Sequence, residues 1–209
     1  MSYDPSDAAR DEMYDEIARE LYPSHKEQAI GEFTAERLQS YYVANPKVMR
    51  PAVDAIQEGR KLQANGHYGA AVVYFVTAIE LLLKATLLRP VVHGLVHSEG
   101  LAEVIVQQAL AQPGFDRYSK LLAGLYVQIT GKELSAVKRD DAKDALITEC
   151  TAQQALRNRI IHQGAIANAE DAELARLIVV AVYELVVRQV LWHLRLSVVE
   201  RGEIIPSGA

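Results

Sequence analysis

Apolar residues recur along almost the whole chain at helical rather than strand spacing. Met13, Ile17 and Leu21 stand four apart behind Ser6 and Asp7, either of which suits a helix cap. Acids fill the opening turn, where they favour the helix dipole, so a first helix is predicted over 6–21. A second is predicted from about Ser24 to Tyr42. Asn45-Pro46 and Arg50-Pro51 bracket a turn region, Pro51 to Gln63 predicts a helix, and Asn65-Gly66 a tight break. From Tyr68 to Leu88 the chain is apolar almost all round, which predicts a central helix buried on most sides. Its polar exceptions, Thr77, Glu80 and Lys84, lie three and four apart and share one stripe. Pro90 to Gly100 reads as a loop. Leu101 to Ala111, Phe115 to Thr130 and Asp140 to Gln163 read as helices, with Gly131 closing the second of these. A last helix is predicted from near Asn168 to about Val199, with Asn168, Glu170 and Asp171 as cap and dipole complements. Gly164 to Ala167 would join the last two helices as an antiparallel pair. The predicted class is all-α, with 1–45 as a helical extension, 46–200 as the body and 201–209 as a tail.

Composition narrows this picture. The chain has 209 residues, of which 50% are hydrophobic, enough for one domain with a sizeable core. Its single cysteine, Cys150, excludes an intramolecular disulfide framework and a cysteine-based zinc knuckle, and points to a reducing cytosol. At helical spacing Cys150 falls on an apolar face, where a small buried hydrophobe is expected rather than a nucleophile. No signal peptide is predicted, because the first 20 residues are acidic. No membrane span is predicted either: the segment that reads as most apolar, Leu177 to Leu194, is interrupted by Glu184, Arg188, Gln189 and His193. A cytoplasmic protein with no membrane partner is the expectation.

Charge is unevenly placed. Residues 1–20 hold seven acids and two bases; taking these from the chain's 27 and 22 leaves 20 of each, so the body is neutral. The extension also holds Tyr3, Tyr14, Tyr22, Tyr41 and Tyr42, half of the ten tyrosines. A broad basic surface for duplex nucleic acid is therefore not expected, although a few local arginines would suffice for an RNA-cleaving site.

The candidate chemistry lies near the end of the helix predicted over Asp140 to Gln163, in Arg157-Asn158-Arg159-Ile160-Ile161-His162. On a helical wheel Ala142, Leu146, Cys150, Leu156, Ile160 and Ile161 share a broad apolar arc, and Arg157 falls inside it. A cation there must snorkel, pair with an acid or line a cleft. Asn158 and His162 lie four apart on the opposite side with Thr151 and Ala155, a small polar side suited to close packing by another helix or subunit. Gly164 suits a C-terminal cap, and the carbonyls of a helix end favour an imidazolium. Histidine can exchange protons with a ribose 2′-hydroxyl or a leaving 5′-oxygen, arginine can grip a phosphate, and asparagine can orient either. By spacing alone, the plainer reading is that Arg157 bonds an internal acid and His162 caps a helix end. Glu80 likewise either pairs with Lys84 or faces an active-site arginine.

At these residues the chain resembles the HEPN superfamily of small helical domains. Leu62-Gln-Ala-Asn-Gly-His-Tyr-Gly-Ala-Ala71, continuing through Ala78-Ile-Glu80-Leu-Leu-Leu-Lys84-Ala, is similar to that family's first core helix pair. Arg157 to His162 matches its arginine, four to six residues, histidine motif, with the frequent asparagine after the arginine. The similarity spans roughly 52–195. It implies an up-and-down antiparallel helical bundle, a homodimer with the motif helices at the seam, and metal-independent endoribonuclease activity of the toxin or phage-defence kind. Arg157 would polarise the phosphate, Asn158 would orient, His162 would be the acid/base, and Glu80 would be auxiliary. No cofactor is implied, and an antitoxin or other protein is a possible partner. Toxin members silenced by modification often carry a tyrosine two residues after the histidine; here that residue is Gly164, so such silencing is not expected.

Two other readings stay open. One is a non-catalytic helical dimer that binds a protein partner or a nucleotide, motivated by the neutral body and the tyrosine-rich acidic extension. The other is a metal-dependent hydrolase using His93 and His97, four apart, with Glu99 as a third ligand; the nearby Pro90, Gly94 and Gly100 weigh against it.

Overall fold

The computed structural model describes Met13, Glu16 and residues 32–208, except His97 and 111–115. The helix predicted over 6–21 and the start of the second lie outside the described residues. What is described is an all-α helical bundle with a two-stranded hairpin at its C-terminal end.

Helix α1 covers 32–44. Leu38 and Tyr42 are buried in the common core, and Arg37 Nε donates to the Gly94 carbonyl at 2.9 Å. The last part of the expected extension is thus a structural part of the body. Helix α2, Arg50–Ala64, starts with proline in its first turn and runs antiparallel to α3, Tyr68–Glu80, across the break at Asn65–His67. The two pack closely because Gly59 faces Phe75: a Cβ at Gly59 would meet the ring at 2.7 Å.

The central helix does not stop at Pro90. From α3 it passes through a widened π segment, Leu81–Leu88, into α4, Arg89–Leu95. Proline has no N–H to give the carbonyl four residues back, which here belongs to Thr86. The buried Tyr42 hydroxyl donates to that carbonyl at 2.5 Å and replaces the missing bond. The expected loop over Pro90 to Gly100 is therefore mostly helix. Tyr68–Gly94 is long and apolar enough to cross a membrane, more so than the stretch from Leu177, yet 61% of its most apolar window is buried among the chain's own helices.

Helices α5, Glu99–Leu110, and α6, Asp116–Thr130, follow. Helix α7 is Leu146–Gln163, not Asp140–Gln163. A single tight turn at Leu134–Ala136 precedes it, Ala145 is extended, and the Leu146 N–H bonds the Val137 carbonyl at 2.8 Å. Arg139 closes this loop onto the helix with two bonds to Glu149, at 2.9 and 2.6 Å. That bidentate pairing raises the Arg139 pKa further and ties the loop to the first turn of α7.

Helix α8, Ala169–Val182, begins with the capping box expected of Asn168: its side chain accepts from the Asp171 N–H, and Asp171 accepts from the Asn168 N–H, both at 2.9 Å. A second π segment, Tyr183–Val187, leads into α9, Arg188–His193. The Tyr126 hydroxyl donates to Leu185 in that segment at 3.0 Å, so tyrosines serve both widened turns. The last helix ends at His193 rather than Val199. Arg195 turns the chain at φ 55°, and β1, Leu196–Val198, pairs antiparallel with β2, Ile204–Pro206. Leu196 and Ile204 are buried, so the expected tail from 201 completes the core.

Helix α3 sits at the centre. Helices α2, α7 and α8 all pack against it, and α8 also touches both α2 and α7. Gln63 of α2 donates to Glu173 of α8 at 2.9 Å. Arg176 holds the same carboxylate, and these bonds bring its pKa down to about 2.

Candidate functional site

Two anchors set the register of α7 on α3. A Cβ on Gly69 would stand 3.7 Å from Ile160 Cγ2, and Gln154 Nε2 donates to Glu80 Oε1 at 2.9 Å. The Arg157 turn lies between them, against the middle of α3. Its inward stripe is Leu146, Cys150 and Gln153, all buried, with Leu156 and Ile160 packed at the core's edge. Burial pushes the Cys150 thiol up to about 12, which suits the expected buried hydrophobe and not a nucleophile.

Arg157 starts from that inward side, as its wheel position requires. Its Nε is buried without a hydrogen-bond partner, while Nη1 reaches the surface and donates to Asn158 Oδ1 at 3.1 Å. The cation has snorkelled, and the group that receives it is Asn158 rather than an internal acid. Asn158 and His162 are both exposed, one turn apart on the outer side of α7. His162 occupies the last turn, and Gly164 ends the helix at φ 66°, its N–H returning to the Arg159 carbonyl. The expected left-handed cap is therefore present. The bond to Asn158 draws the guanidinium to the outer side of α7, the side on which His162 also lies.

Two predicted positions differ from the structure. Ile161, expected on the apolar arc, is 46% exposed, because it lies in the last turn beyond the packing seam. Ile166 in the following loop is 95% exposed, so the motif end of α7 carries bare apolar surface. Glu80 lies against the motif helix and accepts a hydrogen bond from Gln154, one turn before Arg157. Sequence reasoning missed Gln154. Its only signal was position, three residues before Arg157 and on the side of α7 facing α3.

Around Glu80 the interior is polar. Lys84 Nζ sits 4.9 Å from the centre of the Tyr118 ring. Burial first, then Glu80 and Cys150, drive the Tyr118 hydroxyl's pKa up, so it stays protonated.

His93, the alternative metal ligand, stacks on Tyr41 with ring centres 5.8 Å apart and stands 3.7 Å from Glu103. His97 lies outside the described residues. Among the described residues, no three His, Cys, Asp or Glu side chains are grouped to hold a metal ion. No protein-family model, curated protein or solved structure matches this chain.

Proposed function

We propose that this protein is a metal-independent endoribonuclease of the toxin or phage-defence kind, cutting RNA as a homodimer in the cytoplasm. The observation that carries the reading is the Arg157–Asn158 bond at the open end of α7, with His162 one turn further on. The likeness of these residues to the HEPN motif supports it.

In this mechanism the outward end of the Arg157 guanidinium binds the scissile phosphate, and Asn158 fixes its direction. His162 takes the proton of the ribose 2′-hydroxyl. The 2′-oxygen then attacks phosphorus and the P–O5′ bond breaks. The partner's His162 protonates the departing 5′-oxygen. The products are a 2′,3′-cyclic phosphate and a 5′-hydroxyl. Charge growing on the phosphate is met by guanidinium, so the step draws on no metal or cofactor.

His162→Ala and Arg157→Ala are expected to lower RNA cleavage by at least about a hundredfold while leaving the helical circular dichroism intact. Cleavage by the wild type persists in EDTA and leaves cyclic phosphate ends. Equal cleavage by all three proteins overturns the proposal. A non-catalytic binding module is the second reading, favoured by the neutral charge of the body. It predicts no turnover of RNA by the wild type.

A further inference from the structure

The central helix has a second end. Gly69 stands against the motif helix, whereas Arg89 lies 20 residues on, about 30 Å along a helix axis. There the end of α1, the turn at 45–49 and the far part of the central helix enclose an open cleft of about 650 Å³. Such a volume suits a small-molecule site. Among the described residues, Lys47 and Arg89 are its charged lining residues and no carboxylate lines it.

The walls are held firmly. The Pro46 carbonyl accepts from the Ile204 N–H at 2.8 Å, which ties the turn to the C-terminal hairpin. Tyr41, also in the lining, is stacked on His93 and meets the Tyr42 ring edge-on at 6.1 Å. Tyr42 is itself fixed by its bond to Thr86. Burial raises the pKa of the Tyr41 hydroxyl, which keeps its proton available for donation. Arg89 stands 3.6 Å from the Glu103 carboxylate, its one counter-charge among the described residues, and Glu103 is not part of the lining.

We propose that this cleft binds a small phosphate-bearing ligand, with Arg89 and Lys47 holding the phosphate and Tyr41 donating a hydrogen bond to it. Two full positive charges and a neutral donor facing one cleft match a group carrying about two negative charges. The site is independent of the RNA-cleaving reading, because none of its residues belongs to the motif end of α7.

Titration calorimetry of the full chain with inorganic pyrophosphate, and separately with ATP, tests it. Binding by the wild type is expected, weakened about tenfold or more by Lys47→Gln and by Arg89→Gln. Glu103→Gln removes the carboxylate that competes for Arg89, so it should tighten binding. A merely structural Arg89–Glu103 pair would make the Arg89 and Glu103 variants change alike. ATP binding more tightly than pyrophosphate marks a nucleotide as the ligand, and equal affinities mark the bare phosphate group. His162→Ala leaves all these values unchanged whether or not the protein cuts RNA. No binding of either probe, binding indifferent to both cation variants, or weaker binding by Glu103→Gln overturns the proposal.

Discussion

Arg157 leaves the α7 backbone on the side that packs against α3, and its guanidinium finishes at the surface on Asn158. A wheel placed the residue correctly but could not place a side chain long enough to travel around the helix. Its neighbour Gln154 matters for a different reason. It gives a half-buried carboxylate, Glu80, a hydrogen bond across the α3–α7 seam. A bond to a charged acceptor out of full solvent is worth more than one between neutral groups. Gln154→Leu is therefore expected to cost about 1–3 kcal/mol in urea unfolding. The double variant Glu80→Leu/Gln154→Leu should recover part of that loss, because it removes the carboxylate along with its donor. A double variant less stable than Gln154→Leu would show that Glu80 is held mainly by other groups.

At the scale of elements, α7 depends on its two ends. Arg139 clasps the first turn through Glu149, and Gly164 releases the chain at φ 66°, a conformation in which a Cβ is crowded by the backbone. Gly164→Ala should cost about 1 kcal/mol and loosen the turn carrying His162. Amide exchange over 159–163 should quicken, and RNA cleavage should fall while the melting of the rest of the bundle changes little. Unchanged exchange there would mean that the cap does not control this turn.

The same scale shows what was legible. Long apolar periods gave α2, α3, α6, α7 and α8, and Asn168 announced its own capping box. Where elements ended otherwise, a distant partner decided. Pro90 reads as a breaker until Tyr42, 48 residues earlier, supplies the lost bond. Asp140 to Ala145 read as helix until Arg139 finds Glu149. Val199 falls in a hairpin whose two strands bury Leu196 and Ile204 in the core. Of the candidate site, the residue types and their spacing were readable; the direction of Arg157, the partner of Glu80 and the exposure of Ile161 were not.

For the whole molecule, the motif end of α7 faces outward with Asn158, Ile161 and His162 exposed and Ile166 beside them in the next loop. In the proposed homodimer a symmetric partner would cover these exposed apolar side chains, and a two-fold axis through that face would bring two imidazoles to one phosphate. The proposed chemistry needs both, one to remove a proton and one to return it. That requirement can be counted. Wild type co-refolded with an equal amount of His162→Ala forms a binomial mixture of dimers. If the seam needs both histidines, activity falls to about a quarter of that of the same total amount of wild type. If each subunit works alone, it falls only to about a half. Sedimentation of the mixture confirms that dimers formed. A value of one half, or activity that persists in monomers, removes the shared seam and leaves any cleavage to a single chain.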